Sequence, residues 1–272
     1  MTDLLRTALT QSAIDCGCLP EDFLRHENIA VRSRPHPQAR KYLELPFLCN
    51  LVSYGHNIVI SATEPFAAPA AEFASRFPVE HCFETPALHV LSGLLRPLGA
   101  DICYMAEYWL PDPSRIPNLP CPYETRLLMP ADFAPLYRPE WSNALCEKRK
   151  HLDVLGVGAY DQGKLVGLAG CSADCAGMWQ IGIDVLPEYR LQGIASALTS
   201  TLAREILARG KVPFYCCAWA NLKSARNALK SGFYPAWVEM TAKPPETINA
   251  QNRQRPAGQP CGGKEHPDEA QL

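Results

Sequence analysis

One run in this chain combines residue types suited to holding a polyphosphate: Val185-Leu186-Pro187-Glu188-Tyr189-Arg190-Leu191-Gln192-Gly193-Ile194-Ala195. The apolar pattern before it, with Ile181, Ile183 and Val185 on one face, predicts a strand over 178–186. The pattern after it, in which Leu198, Leu202 and Ile206 recur every fourth residue, predicts a helix over 189–209 that Gly210 stops. A helix start presents N–H groups without intrahelical acceptors at the positive end of the helix dipole, so it attracts anions. Gly193 puts no side chain between backbone and ligand, and Ala195 keeps the next inward position small. Arg190 and Gln192 add donors beside the same anion. A pyrophosphate is the natural guest of such a junction.

A second junction lies downstream. A strand predicted over 212–219 leads into Asn221-Leu222-Lys223-Ser224-Ala225-Arg226-Asn227-Ala228-Leu229-Lys230-Ser231-Gly232-Phe233, which reads as a short helix and then a last strand. This string resembles the closing motif of the GNAT superfamily of N-acyltransferases: Asn-x-x-Ser/Ala, a short helix, then Gly-Phe. The run at Arg190 resembles that superfamily's pyrophosphate loop. The resemblance covers about residues 123–243 and implies a mixed α/β (α+β) fold, its mostly antiparallel sheet having splayed central strands. It also implies acetyl-CoA as co-substrate and an amine of a small molecule or peptide as acceptor. By the same resemblance, the backbone of Ile183 and Val185 pairs with the pantetheine arm. Arg190, Leu191, Gln192, Gly193, Ile194 and Ala195 hold the pyrophosphate, and Asn221 and Ser224 contact the arm from the other side. A backbone N–H near Ile183 would polarise the thioester carbonyl.

The sequence departs from the family where protons move. The helix tyrosine that many relatives use as acid is Ala228 here, and the two positions where relatives carry a basic glutamate are Cys216 and Trp179. Asp184 and Tyr215 are left unassigned, so no catalytic residue is named. Two readings stand. In one, transfer relies on positioning and the oxyanion donor, with water or a residue of the first half as base. In the other, the protein binds acyl-CoA as a regulator or sensor and transfers little.

These junctions need elements to position them. Strands are expected over 125–129, 152–160 and 165–172, with Asp161-Gln162-Gly163-Lys164 as a hairpin turn between the last two. Helices are expected over 131–137 and 141–150. Prolines 111, 113, 117, 120 and 122 predict a stiff connector, which divides the chain into an N-terminal α/β domain (1–118) and the acyltransferase domain (119–243). In the first half, 47–54 and 57–61 read as paired strands, 64–77 as a helix, the run from Pro86 through Leu88, Leu91, Leu94 and Leu95 as a helix that Gly99 ends, and 101–110 as a strand. Asn50 interrupts the first strand, and Thr85 caps the helix that begins at Pro86. This half is expected to shape the acceptor pocket. The segment 244–272 has almost no apolar residues and reads as a disordered tail.

Composition excludes several classes. The 272 residues carry a net charge of -2, which argues against nucleic acid; a local basic stretch from Arg25 through Arg40 and Lys41 reads as solvated surface. No apolar run spans a bilayer and the N-terminus lacks a signal-peptide core, so a cytoplasmic protein with no membrane partner is expected. Twelve cysteines without a paired C-x-x-C array read as free thiols rather than a metal site. The oligomeric state is not legible.

Overall fold

A computed structural model describes residues 2–254 of the chain. Its elements in order are α1 (Asp3–Cys16), β1 (Ile29–Arg32), β2 (Cys49–Ser53), β3 (Val59–Ala62), α2 (Ala67–Arg76), α3 (Thr85–Leu95), β4 (Asp101–Pro111), β5 (Glu124–Leu128), β6 (Asp153–Asp161), β7 (Lys164–Ser172), β8 (Met178–Val185), α4 (Ile194–Ala208), β9 (Val212–Cys217), α5 (Leu222–Lys230), β10 (Phe233–Lys243) and α6 (Pro245–Gln254). All ten strands join one sheet in the order β1-β3-β2-β10-β4-β9-β8-β7-β6-β5. Its pairs are antiparallel except β1 with β3 and β8 with β9. The two halves of the chain interleave in it: β4, before the proline connector, lies between β9 and β10, and β10 pairs on its far side with β2.

One face of the sheet is covered by helices of both halves. There α2 and α3 pack on Leu51, Ile60 and Met240, while α4 packs on Val157, Ala169 and Ile181. Buried Ile194, Leu198, Leu202 and Ile206 form the inner stripe of α4. Burying each such side chain contributes about 1.5–3 kcal/mol, which outweighs any propensity difference along the helix. On the second face, α1 covers Phe214, Tyr108 and Trp237, and the segment around Trp141 and Leu145 covers Leu168. The β6–β7 hairpin turns through Gln162 (φ 47°) and Gly163 (φ 83°), the conformation its sequence favours.

Five expectations need correction. The helices expected over 131–137 and 141–150 are short 3-10 turns, because Pro130, Pro135 and Pro139 remove donors and restrict the residues before them. The helix expected from 189 begins at Ile194, since Leu191 (φ 64°) and Gly193 (φ 81°) are left-handed. Thr85 is already helical and Glu84 stands at the cap position without a side-chain bond. Of the segment read as a disordered tail, Pro245–Gln254 forms α6, whose first turn uses the Pro244 carbonyl as acceptor for Thr247 and Ile248; residues 255–272 lie outside the described residues. Asn50 does not interrupt β2: it is buried within the strand and accepts a hydrogen bond from the Thr241 hydroxyl at 2.6 Å.

Two glycines explain how a loop reaches the sheet. Gly170 and Gly182 are register partners on β7 and β8, and a Cβ on either would overlap the backbone carbonyl of Ala144 or Asn143. The loop lies directly on the strands there. Asp184 clamps it by accepting from the N–H groups of Asn143 (2.8 Å) and Ala144 (2.9 Å) and from the Asn143 amide (2.6 Å).

Candidate functional site

The parallel pairing of β8 and β9 ends at Ile181 opposite Tyr215, although β8 runs on to Val185 and β9 to Cys217. Beyond that pair the strands part. The orientation of the β8 backbone follows from one bond: the Leu186 N–H donates to the Val166 carbonyl, toward β7. Backbone groups alternate along a strand, so Asp184 and Gly182 also face β7, and Ile183 and Val185 turn their N–H and C=O groups into the opening. These are the two residues expected to pair with an extended ligand.

At the end of β8 the chain makes a 3-10 turn at Pro187–Tyr189 and then the left-handed positions Leu191 and Gly193 before α4 starts. The N–H groups of residues 191–196 find no acceptor within the described residues, the first α4 bond being Ala197 N–H to the Gly193 carbonyl. Nothing lies within 4 Å of where a Gly193 Cβ would sit. An arc of successive N–H groups at the positive end of a 15-residue helix is a good anion cradle.

Side chains around the arc do different work. Arg190 Nε donates to the Val185 carbonyl at 3.0 Å, tying the loop back to the strand end. Gln192 Oε1 accepts from the Tyr123 hydroxyl at 2.8 Å, and Tyr123 stacks edge-on against Tyr189. Nothing local in the sequence marks Tyr123, a connector residue, as a neighbour of this loop. The Leu191 side chain is 99% exposed, so that position contributes backbone only. Ile194 is buried against β7, where Gly167 makes room for it, and Ala195 is half-buried. Across the opening, the Asn221 side chain caps α5 by accepting from the Ser224 N–H at 3.2 Å. The Ser224 hydroxyl meets the Tyr215 hydroxyl at 2.6 Å. Asn227 Nδ2 donates to the Thr199 hydroxyl at 3.0 Å, holding α5 beside α4.

The positions where relatives keep proton carriers are now placed. Ala228 is fully buried between α5 and the sheet. Cys216 lies on the second face, where its sulfur accepts from Gln180 Nε2 at 3.1 Å; burial pushes its thiol up to about 11. Asp184 is occupied by the 143–144 loop. Burial also raises the Tyr215 phenol, against the Ser224 and Asn227 contacts that lower it.

A family model described as GNAT acetyltransferase matches residues 118–236. Residues 118–236 match a GNAT acetyltransferase domain. The GNAT match begins inside the proline connector and ends within β10, so both candidate junctions fall in it. Among solved structures, the chain is similar to a GNAT-family protein of Novosphingobium aromaticivorans (20% identity, TM-score 0.40), with 53% of this chain covered and 66% of that one, just under two thirds. It is similar to a GCN5-related N-acetyltransferase-like protein of Streptococcus suis (21%, TM-score 0.42; 58% and 69% covered). It is also similar to a GCN5-related N-acetyltransferase of Kribbella flavida (14%, TM-score 0.44; 90% and 97% covered). No curated protein matches the sequence. The domain is that of an acyltransferase, built on the mixed, mostly antiparallel sheet with parting central strands. Among the described residues no helix is long and apolar enough to cross a membrane, and no group of three or more His, Cys, Asp or Glu is placed to hold a metal ion.

Proposed function

We propose that the protein transfers an acetyl group from acetyl-CoA to a primary amine, by direct attack while both substrates are bound. The observation that carries this reading is the continuity of two features: the open N–H arc of residues 191–196 and the edge of β8 at Ile183 and Val185, to which β9 does not pair. A pyrophosphate held by the first puts the pantetheine arm along the second. Gly193 leaves the cradle open at its closest point, which is the fit a bulky anion requires. Asn221 and Ser224, already ordered by the α5 cap, close the other wall.

In this reading Ile183 N–H, facing the opening, donates to the thioester oxygen and is worth more as negative charge develops there. The amine nitrogen attacks the carbonyl carbon, the C–S bond breaks and the thiolate leaves. Of the two protons that an ammonium must lose, one ends on the thiol and one goes to solvent. With Ala228, Cys216 and Trp179 where relatives keep proton carriers, positioning bears most of the burden. We place the reaction in the cytoplasm, and take residues 1–118 to wall the acceptor side.

Calorimetric titration with acetyl-CoA, followed by mass spectrometry of a panel of amines incubated with it, tests this. Acetylated product with CoA release is the expected result, and absence of binding at high micromolar acetyl-CoA would remove the proposal. Tight binding without transfer to any amine would move the protein to the regulatory reading, which the absent proton carriers favour.

A further inference from the structure

The second face of the sheet, opposite α4 and α5, carries a polar cluster at the point where β8 and β9 part. Side chains alternate along a strand, so Gln180 and Cys216 stand on this face while Ile181 and Tyr215 stand on the other. Gln180 Nε2 reaches Cys216 at 3.1 Å, and the Tyr104 hydroxyl donates to the same sulfur at 3.9 Å. A thioester threaded through the opening from the α4 side emerges beside this bridge. One rim is the 143–144 loop lying on Gly182. The other comes from the first half: Tyr104 on β4, 41% exposed, and half-buried Tyr42.

Behind the bridge lies an unusual charge set. Arg40, which the sequence suggested was solvated, is 3% exposed. Its Nε meets Asp15 at 2.5 Å, one terminal nitrogen meets Glu239 at 2.7 Å, and the other donates to the Tyr42 hydroxyl at 2.7 Å. Burial works against the Arg40 charge, but Glu239, Tyr42 and Asp15 hold it protonated. Two buried carboxylates thus face one guanidinium, which leaves one negative charge over. The distribution of hydrogen bonds shows where it sits. Asp15 uses both oxygens, accepting from Gln11 and from the Arg40 backbone and side chain. Glu239 takes both its bonds, from Arg40 and from Trp237 Nε1 (2.8 Å), on Oε1. Its Oε2 accepts none among the described residues, although Glu239 is 2% exposed. Glu239 is the register partner of Ala106 on β4, between Tyr104 and Tyr108, and Tyr108 is in turn the partner of Cys216 on β9, so the carboxylate lies behind the bridge. Burial keeps Tyr104 and Cys216 neutral. The nearby Arg149–Asp174 pair (3.1 Å) adds no net charge.

We propose that this cluster is the acceptor subsite and that Glu239 selects the acceptor: a singly cationic primary amine without a carboxylate beside its nitrogen, drawn in past the Tyr104 ring. The proposal rests on the acetyl-transfer reading. An ammonium at the bridge offsets the surplus charge behind it and lies against an exposed phenol ring. A carboxylate on the same carbon would add a negative charge beside that cluster.

Two probes separate these cases: phenethylamine and its carboxylated counterpart phenylalanine. Each is titrated calorimetrically into the CoA-loaded protein and assayed as acceptor. The wild-type protein should prefer phenethylamine by about tenfold or more, the size of one charge-assisted hydrogen bond. Glu239→Gln keeps an acceptor for Arg40 and Trp237 but removes the charge. It should weaken phenethylamine binding about tenfold and leave acetyl-CoA affinity unchanged. Gln180→Lys, at the partly open bridge, tests the same charge without touching the Arg40 cluster and should also weaken phenethylamine binding. Equal binding of the two probes, or either folded variant binding phenethylamine as the wild type does, overturns the proposal. Failure of the wild-type protein to bind acetyl-CoA would instead strike the reading beneath it.

Discussion

Replacing Gly193 by valine separates the backbone cost of the pyrophosphate loop from its function. Gly193 has φ 81° and ψ -3°, a conformation in which an L-residue pays about 1–2 kcal/mol, and a β-branched side chain sits at the upper end. For a chain of this size each kcal/mol lowers the melting temperature by roughly 2–4 °C, so a fall of about 2–8 °C is expected. Because the space around the Gly193 Cβ position is empty, no packing clash adds to that. The loss in CoA affinity should be far larger. An isopropyl group there covers N–H groups of the arc, and two charge-assisted bonds to phosphate at about 1.5–3 kcal/mol each amount to roughly a hundredfold to ten-thousandfold in dissociation constant. Titration with CoA and with pantetheine, which lacks the pyrophosphate, reads the two effects apart. CoA affinity should collapse while pantetheine binding stays near wild type. CoA affinity within threefold of wild type would refute the loop assignment, and equal losses for both ligands would show that the cleft, not the anion cradle, had been damaged.

Other substitutions test the framework. Gly182→Ala drives a Cβ into the Asn143 carbonyl and should destabilise the fold by about 1–3 kcal/mol. Gly93→Ala, in α3 with open space around it, should stabilise by about 0.5–1 kcal/mol; denaturant titration of the pair should show opposite signs. Asn221→Ala removes the α5 cap and should cost about 1 kcal/mol, seen as an earlier thermal transition that CoA does not restore to the wild-type value. With its thiol raised to about 11, Cys216 should alkylate slowly at pH 7 and progressively faster toward pH 11, because only the thiolate reacts. Peptide-resolved labelling showing rapid modification at neutral pH would contradict the raised thiol.

What the sequence made legible was what is local. The hairpin at Gln162-Gly163, the α4 stripe from Ile194 to Ile206 and the Asn221 cap each depend on residues within a few positions of one another. The prolines at 130, 135 and 139 were equally visible, yet the apolar residues between them, Phe133 and Trp141, suggested helix; those side chains are buried from 3-10 turns instead. Long-range partners stayed hidden. Nothing near Arg40 announces Glu239, nearly two hundred positions away, and a basic run looks solvated until its carboxylates arrive from α1 and β10. Tyr123 beside Gln192, and β4 between β9 and β10, are likewise products of the finished sheet.

The place of β4 has a consequence for how the chain is made. Among the described strands 233–243 is the last in chain order, yet it must lie in the middle of the sheet, between β2 and β4. Until it emerges, β2 and β4 each lack a neighbour and the helices of the first half cover an unfinished surface. Synthesis of all ten described strands therefore precedes assembly of the sheet, and cutting the chain at the prolines should yield two fragments that fold only when mixed. A nascent chain stalled before residue 233 would expose β4 as a sticky edge, which makes this strand a checkpoint on the completeness of the sheet.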